Sequence, residues 1–330
     1  MHLHTSINRG GNRLPNWSEI LTEIQSLNAA GVTDANDAIR RKYIKELSDT
    51  TGRNTIAYYS GFLNNPSVHE ASITDMDKNG FMTVINKLDR AKGLDLILHT
   101  PGGDLAAAES LVEYLRLMFG DDIRAIIPQM AMSAGTMIAC SCKSIIMGKQ
   151  SNIGPIDPQI RGIPASGVIE EFNRALLDVS SDPKSIPIWQ VIIGKYHPTF
   201  IGECEKAIQW SSEIVHEWLK QNMLKDEHER DEIAKTIVEF LSNPNRTKAH
   251  ARHIGIIDCE RIGLNIKQLE KPIDGMNLQD AILSLHHAYM ITLSSSSAIK
   301  VIENQNGVAM ILNKNIPQPI PHQIIQMPTP

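Results

Sequence analysis

Apolar residues fall into two regimes along this chain. Between residues 51 and 148 they come as short unbroken runs, within "TGRNTIAYYS" (Thr51–Ser60), "LDLILHT", "DIRAIIPQ" and "KSIIMG". These alternate with segments whose apolar positions recur at helical spacing, "GFMTVINKLDRA", "GDLAAAESLVEYLRLMF" and "SAGTMIACSC". Continuous apolar strands alternating with helices predict a mostly parallel α/β sheet covered on both faces. The flanks are different. Residues 1–50 read as a helical arm, because "NWSEILTEIQSL" and "DANDAIRRKYIKEL" carry apolar stripes among many charges. Val168 to Ser242 reads as mainly helical, and "HIGIIDCERIGLNI" closes the core. After Ile266 the pattern predicts a helix from Leu278 to Glu303, a strand-like "GVAMILN", and an extended or disordered Pro-rich tail, "IPQPIPHQIIQMPTP". The expected division is an arm at 1–50, a core at 51–266 and a C-terminal extension at 267–330.

Composition narrows the function classes. A net charge of −5 gives no basic footprint for nucleic acid. The most apolar region, Ile123 to Met147, is interrupted by Pro128, Gln129, Gly135 and Lys143, which argues against a membrane span. The opening residues show no apolar run of signal-peptide type, and four cysteines in a chain this long suggest reduced thiols, so the expectation is cytoplasmic. Cys140 and Cys142 stand too close together for the usual zinc spacing, and no cofactor or metal is expected.

Two strand-to-helix turns carry candidate chemistry. In "HTPGGDLAAAES", Pro101 ends a strand, and Gly102 and Gly103 precede a helix whose first turn holds Asp104. Glycines there let a ligand approach backbone amides that suit an anion or a developing oxyanion. A plain Gly-Gly turn explains the same residues. About thirty residues later, "PQMAMSAGTMIACSC" puts Ser133 in the equivalent place. Alone, a serine there is more often a helix cap than a nucleophile. Together, glycine amides beside a hydroxyl make the constellation that acyl transfer needs.

"DMDKNGFMTVIN" matches the first half of a calcium loop through Asp75, Asp77, Asn79 and Gly80, but Asn86 replaces the closing glutamate, and an acidic helix start explains the carboxylates as well. His286 and His287 lie in a helical pattern and cannot both turn to one metal, so they read as packing and surface. The run Lys225 to Glu232 reads as a solvated helix face.

With both motifs in view, "LILHTPGGDLAAAESLVEYLR" followed by "IPQMAMSAGTMIACSCKSIIMGKQSNIGPIDPQI" resembles the Clp-protease/crotonase superfold. More closely it resembles the serine dehydrogenase proteinase family, relatives of signal-peptide peptidase A. The resemblance covers residues 52 to 266 and implies repeated β-β-α turns stacked into a right-handed spiral, assembled into homo-oligomers. It implies Ser133 as nucleophile, with the amides of Gly103 and Ala134 as oxyanion hole and Gly102 shaping the loop. The Ser-Asp-His order of that family points to Asp157 in "GPIDPQI" and to a histidine in "AHARHIGIID", where His253 fits the family pattern better than His250. The signal-peptide peptidases instead use a lysine roughly fifty residues after the serine, which points to Lys184. His99, beside the glycine loop, reads as a substrate-pocket or structural residue.

Three functions therefore stand open: a serine peptidase acting on peptide or protein substrates, a crotonase-like acyl-CoA enzyme with the same amide pair, and a catalytically silent scaffold or adaptor. An unfoldase or membrane protein that delivers cargo is compatible with the first.

Overall fold

The computed structural model describes residues 16–314, so the Pro-rich tail lies outside the described residues. Helices α1 (Trp17–Ala29) and α2 (Ala35–Thr51) come first, then β1 (Asn54–Ser60), α3 (Met76–Ile85), β2 (Leu94–His99), α4 (Leu105–Phe119) and β3 (Ile123–Ile127). The short β4 (Met130–Ala131) leads to α5 (Ala134–Cys140), β5 (Ser144–Met147) and β6 (Asn152–Ile153). A small hairpin, β7 (Gln159–Ile160) and β8 (Ile163–Pro164), opens a helical excursion: α6 (Ala165–Ser181), α7 (Ile186–Ile193), α8 (Phe200–Trp218), α9 (Arg230–Ser242) and α10 (Pro244–Thr247). The described residues end with β9 (Ile254–Gly255), α11 (Ile256–Arg261), β10 (Ile266–Gln268), α12 (Gln279–Ser295), β11 (Ala298–Asn304) and β12 (Ala309–Asn313).

The main sheet runs β10-β5-β3-β2-β1-β11-β12. Its first five strands are parallel, and β11 and β12 are added antiparallel beyond β1. Its central strands are buried along their whole length, as their unbroken apolar runs require. Alternation along each strand divides the core into two layers. Ile56, Tyr58, Leu96, Leu98, Ala125 and Ile127 face one layer, packed with α3, α4, α5, α8 and α9. Ala57, Tyr59, Ile97, Ile126 and Ile146 face the other, packed with α1, α2 and α12. A second small sheet, β4-β6-β9, stands at the carboxyl ends of the parallel strands. Main-sheet strand, second-sheet strand and helix thus recur, as in β3–β4–α5, which is the repeated β-β-α plan expected.

The flanks depart from expectation. The predicted helix through Glu303 stops at Ser295, and Ala298–Asn304 is a strand. Four consecutive serines, 294–297, exhaust the helical pattern: the hydroxyls of Ser294, Ser295 and Ser296 donate back to preceding carbonyls, and that of Ser297 donates to Asn313 Oδ1 at the end of β12. The β-branched run that follows pairs with β1 over five positions, Ile56↔Asn304 to Ser60↔Lys300. Among the described residues, α1, α2 and α12 form one layer of the core. Arg40 of α2 and Glu303 of β11 join in a fully buried ion pair at 3.0 Å. Among the described residues no helix is long and apolar enough to cross a membrane.

That layer also encloses histidines. His99 is fully buried against Tyr59, Phe62 and His286, and neither ring nitrogen has a partner among the described residues. Burial alone drives its pKa down to about 3. Burial, then the neighbouring His99 and His287, likewise holds His286 well below the usual range. Both rings are neutral when folded, whereas an unfolded chain protonates them near pH 6.5. The unfolded state then binds more protons, so stability present at pH 7 is lost as pH falls below 6.5 towards 3. His99 alone removes roughly 2 kcal/mol by pH 5. Urea unfolding at pH 7 and pH 5 should show this loss, and His99→Leu should shrink it.

Candidate active site

The site begins with two neighbouring strands that end together. β2 and β3 run parallel, Leu94↔Ile123 to Ile97↔Ile126, so the turns that follow them emerge side by side. Thr100 ties them: its N–H donates to Met130 O at 3.2 Å, and the Met132 N–H donates to Thr100 O at 3.0 Å. Gly102 then adopts φ +95°, and a Cβ there would stand 2.6 Å from both Met132 O and Ser133 Cβ. No other residue fits. Gly103 lies against the backbone of Ile73, where a Cβ would collide with main-chain atoms. Ile73 donates its N–H to Gly102 O at 2.7 Å and accepts from Asp104 N–H at 3.0 Å. Since Gly102 O and Asp104 N point to Ile73, strand alternation turns the N–H of Gly103 to the opposite side. It finds no acceptor there among the described residues.

Ser133 stands immediately before α5 with φ 51° and ψ −120°, a conformation that costs a non-glycine residue about 1–3 kcal/mol. Its side chain makes no capping hydrogen bond. Asp104, at the equivalent position before α4, does cap, accepting from Ala107 N–H at 2.8 Å. The helix-cap explanation of Ser133 therefore fails. Ala134 opens the helix, so its N–H has no intrahelical acceptor. The small residues around it let the turns close, with Gly135 against the Thr100 methyl group.

A carboxylate–imidazole pair completes the cleft. Asp157 is buried beyond β6, and its Oδ1 lies 3.0 Å from His250 Nδ1, 93 residues on. A carboxylate only accepts, so Nδ1 carries the hydrogen and Nε2 is left as acceptor. His250 is half-buried and lines a cleft of about 400 Å³ together with Gly102, Gly103, Ser133 and Ala134. Apolar walls come from Leu105, Met137, Ile156 and Trp210.

The sequence-derived candidates sort clearly. Ser133, the two glycines, Ala134 and Asp157 come together. His253 does not: it is exposed at the entry to β9, and the histidine bonded to Asp157 is His250. Lys184 is exposed in a turn between α6 and α7 and does not line the cleft. His99 points into the opposite layer of the core, which makes it structural rather than part of the pocket. The Asp75–Asn79 segment starts α3, with Asp77 buried against Lys300. Burial pushes the Cys142 and Cys259 thiols up to about 12 and raises Cys140 as well, so these cysteines are packing groups. Trp210 and Ala207 went unnoticed because α8 meets the cleft only through tertiary folding, nearly eighty residues after Ser133.

The model of the ClpP-like SDH-type serine proteinases matches residues 32–278, three-quarters of the chain, including every residue of this cleft. The chain belongs to that family. Two curated relatives, both uncharacterized proteins of Methanocaldococcus jannaschii, are 29% and 30% identical over 194 residues, 59% of this chain. The chain spans about three-fifths of the length of those relatives: 60% of one and 59% of the other. A solved structure of a mutant of the 1510-N membrane-bound stomatin-specific protease is similar over 64% of this chain and 88% of its own, at 14% identity with a TM-score of 0.37.

The close approach of the two turns has a measurable cost. Gly102→Ala should lower stability by well over about 1 kcal/mol, combining a left-handed φ with a backbone collision. Gly162→Ala, at φ +78° with nothing within 4 Å, should lose only the conformational part, roughly 1 kcal/mol. Equal losses in chemical denaturation would show that the turns separate freely.

Proposed function

We propose that this member of the ClpP-like SDH-type serine proteinases is a serine peptidase that cleaves peptide or protein substrates through an acyl-enzyme at Ser133. The observation that carries the reading is the strained, uncapped Ser133, which lines one cleft with Gly103, Ala134 and the His250 that is bonded to Asp157.

In this reading Ser133 Oγ attacks the substrate carbonyl carbon while its proton passes to His250 Nε2. Asp157 orients the ring through Nδ1 and stabilises the imidazolium. The amides of Gly103 and Ala134 donate to the oxyanion, in a position where water is partly excluded and their dipoles need no reorganisation. Collapse of the tetrahedral intermediate returns the proton to the leaving amine, giving an ester on Ser133. Water, deprotonated by the same imidazole, then hydrolyses the ester and restores the serine. The apolar walls favour substrates with apolar side chains beside the scissile bond.

A crotonase-like acyl-CoA reaction is less well supported. Among the described residues the only carboxylate directly lining the cleft is Asp104, whose Oδ1 is engaged in capping α4. Self-association belongs to the proposal too. Its support is the apolar face that α6 and α7 expose, with Leu176, Leu177, Ile188 and Val191 each at least 65% accessible. A monomeric mass in solution with full activity would remove that part.

A fluorophosphonate probe should label Ser133, located by mass spectrometry, and Ser133→Ala should abolish the adduct. Asp157→Asn and His250→Ala should slow labelling roughly 10³-fold or more. His253→Ala and Lys184→Ala should leave it unchanged. A wild-type protein that resists the probe in every assembly state would end the peptidase reading, and loss on Lys184→Ala alone would move the base to lysine.

A further inference from the structure

One buried ion pair lies directly beneath the glycine loop and is not used by the chemistry described so far. Lys300 of β11 and Asp77 of α3 are 1% and 2% exposed, and the Lys300 Nζ donates to both carboxylate oxygens, at 2.7 and 2.9 Å. Burying two charges costs several kcal/mol per ion, and apolar side chains of similar volume stabilise a core as well or better. Burial indeed pulls the Lys300 ammonium down from its usual range, against the opposing pull of Asp77. What the pair supplies is direction.

Two of its remaining hydrogen bonds converge on one tripeptide. Lys300 Nζ also donates to Ser72 O at 2.7 Å, and Asp77 Oδ2 accepts from Thr74 N–H at 3.0 Å. Both ends of the segment 72–74 are thereby clamped. The residue between them, Ile73, is the one that pairs with Gly102 O and Asp104 N–H. A third group steadies the carboxylate: the Tyr58 hydroxyl donates to Asp77 Oδ2 at 2.8 Å from β1. On the other side of the loop, the Thr100 hydroxyl accepts from Gly102 N–H at 3.2 Å. The path from Lys300 to the glycine loop thus runs through one clamped segment, whose central residue, Ile73, bonds the loop on both sides of Gly103.

We propose that Lys300 and Asp77 are positioning residues for the oxyanion loop, holding the Gly103 amide at its aim through Ser72–Thr74. The inference rests on the serine-peptidase reading. Neither residue touches substrate. Their effect is on the transition state, where a donor displaced by a fraction of an ångström loses much of its value, and not on the affinity of the cleft.

Saturation kinetics of fluorophosphonate labelling separate the two, because the maximal rate reports bond formation at Ser133 and the half-saturating probe concentration reports binding. Three variants are compared with wild type at a temperature where circular dichroism shows each folded: Lys300→Met, the charge-free pair Lys300→Met with Asp77→Asn, and Lys300→Arg. The first two should lose about 10- to 100-fold in maximal rate with half-saturation within about twofold, and Lys300→Arg should recover part of the rate. Tyr58→Phe, which keeps both charges paired, should lose rate in the same direction by less, and it serves when the charge variants do not fold. Arg40→Met, which breaks the buried pair on the other face of β11, should lower the melting temperature without changing the labelling rate of folded protein. An unchanged maximal rate in the folded variants, with wild type labelled at Ser133, overturns the positioning role and leaves the peptidase reading intact. Wild type that is never labelled overturns both.

Discussion

Two main-chain turns that touch govern this molecule. Gly102 and the segment Met132–Ser133 lie closer than any side chain at position 102 permits, and that contact exists because β2 and β3 are parallel neighbours in register. Much else serves it. The bridge through Thr100 holds the turns together, the small residues of α5 let the helix approach, and the strained backbone at Ser133 goes with a hydroxyl that does not cap its own helix. Hydrogen-bond donors are only as useful as their fixity. A site made from main-chain amides obtains that fixity from the sheet beneath, with no side-chain rotamers to freeze.

The same sheet separates two kinds of interior. Strand alternation sends Leu98 towards the layer beneath the site and His99 into the opposite layer, although they are adjacent in sequence. One layer carries hydrogen bonds that converge on the cleft. The other stores neutral imidazoles and the Arg40–Glu303 pair, which bind α2, α12 and β11 into a single wall. The buried neutral imidazoles and the candidate cleft accordingly sit on opposite sides of one sheet.

What could be read from the chain follows from the range of each interaction. Unbroken apolar runs and the glycine and serine turns are local signals, and they located β1, β2, β3, β5, the loop and Ser133. The partner of Asp157 is not local. His250 and His253 differ by three residues in an irregular segment between α10 and β9, where no periodicity fixes which side chain turns inward, and a family pattern favoured the one that faces solvent. Strand β11 escaped because the helix before it runs into serines and then into β-branched residues without a proline or glycine to mark the change. A charge inside that run, the lysine of "AIKVIEN", was the available clue that something buried had to receive it.

The position of β11 has a consequence in time. It pairs with β1, the first strand of the sheet, across more than two hundred residues of intervening chain. Such non-local closure is slow, because the loop entropy is spent before the contact returns anything. During synthesis β1 to β5 emerge and can pair while the edge of β1 is still bare, and neither Lys300 nor the wall that needs Glu303 exists until more than two hundred further residues have followed β1. A growing polypeptide therefore carries its serine long before it has the strand that pairs with the free edge of β1, so that the architecture itself keeps the sheet incomplete until β11 has been made.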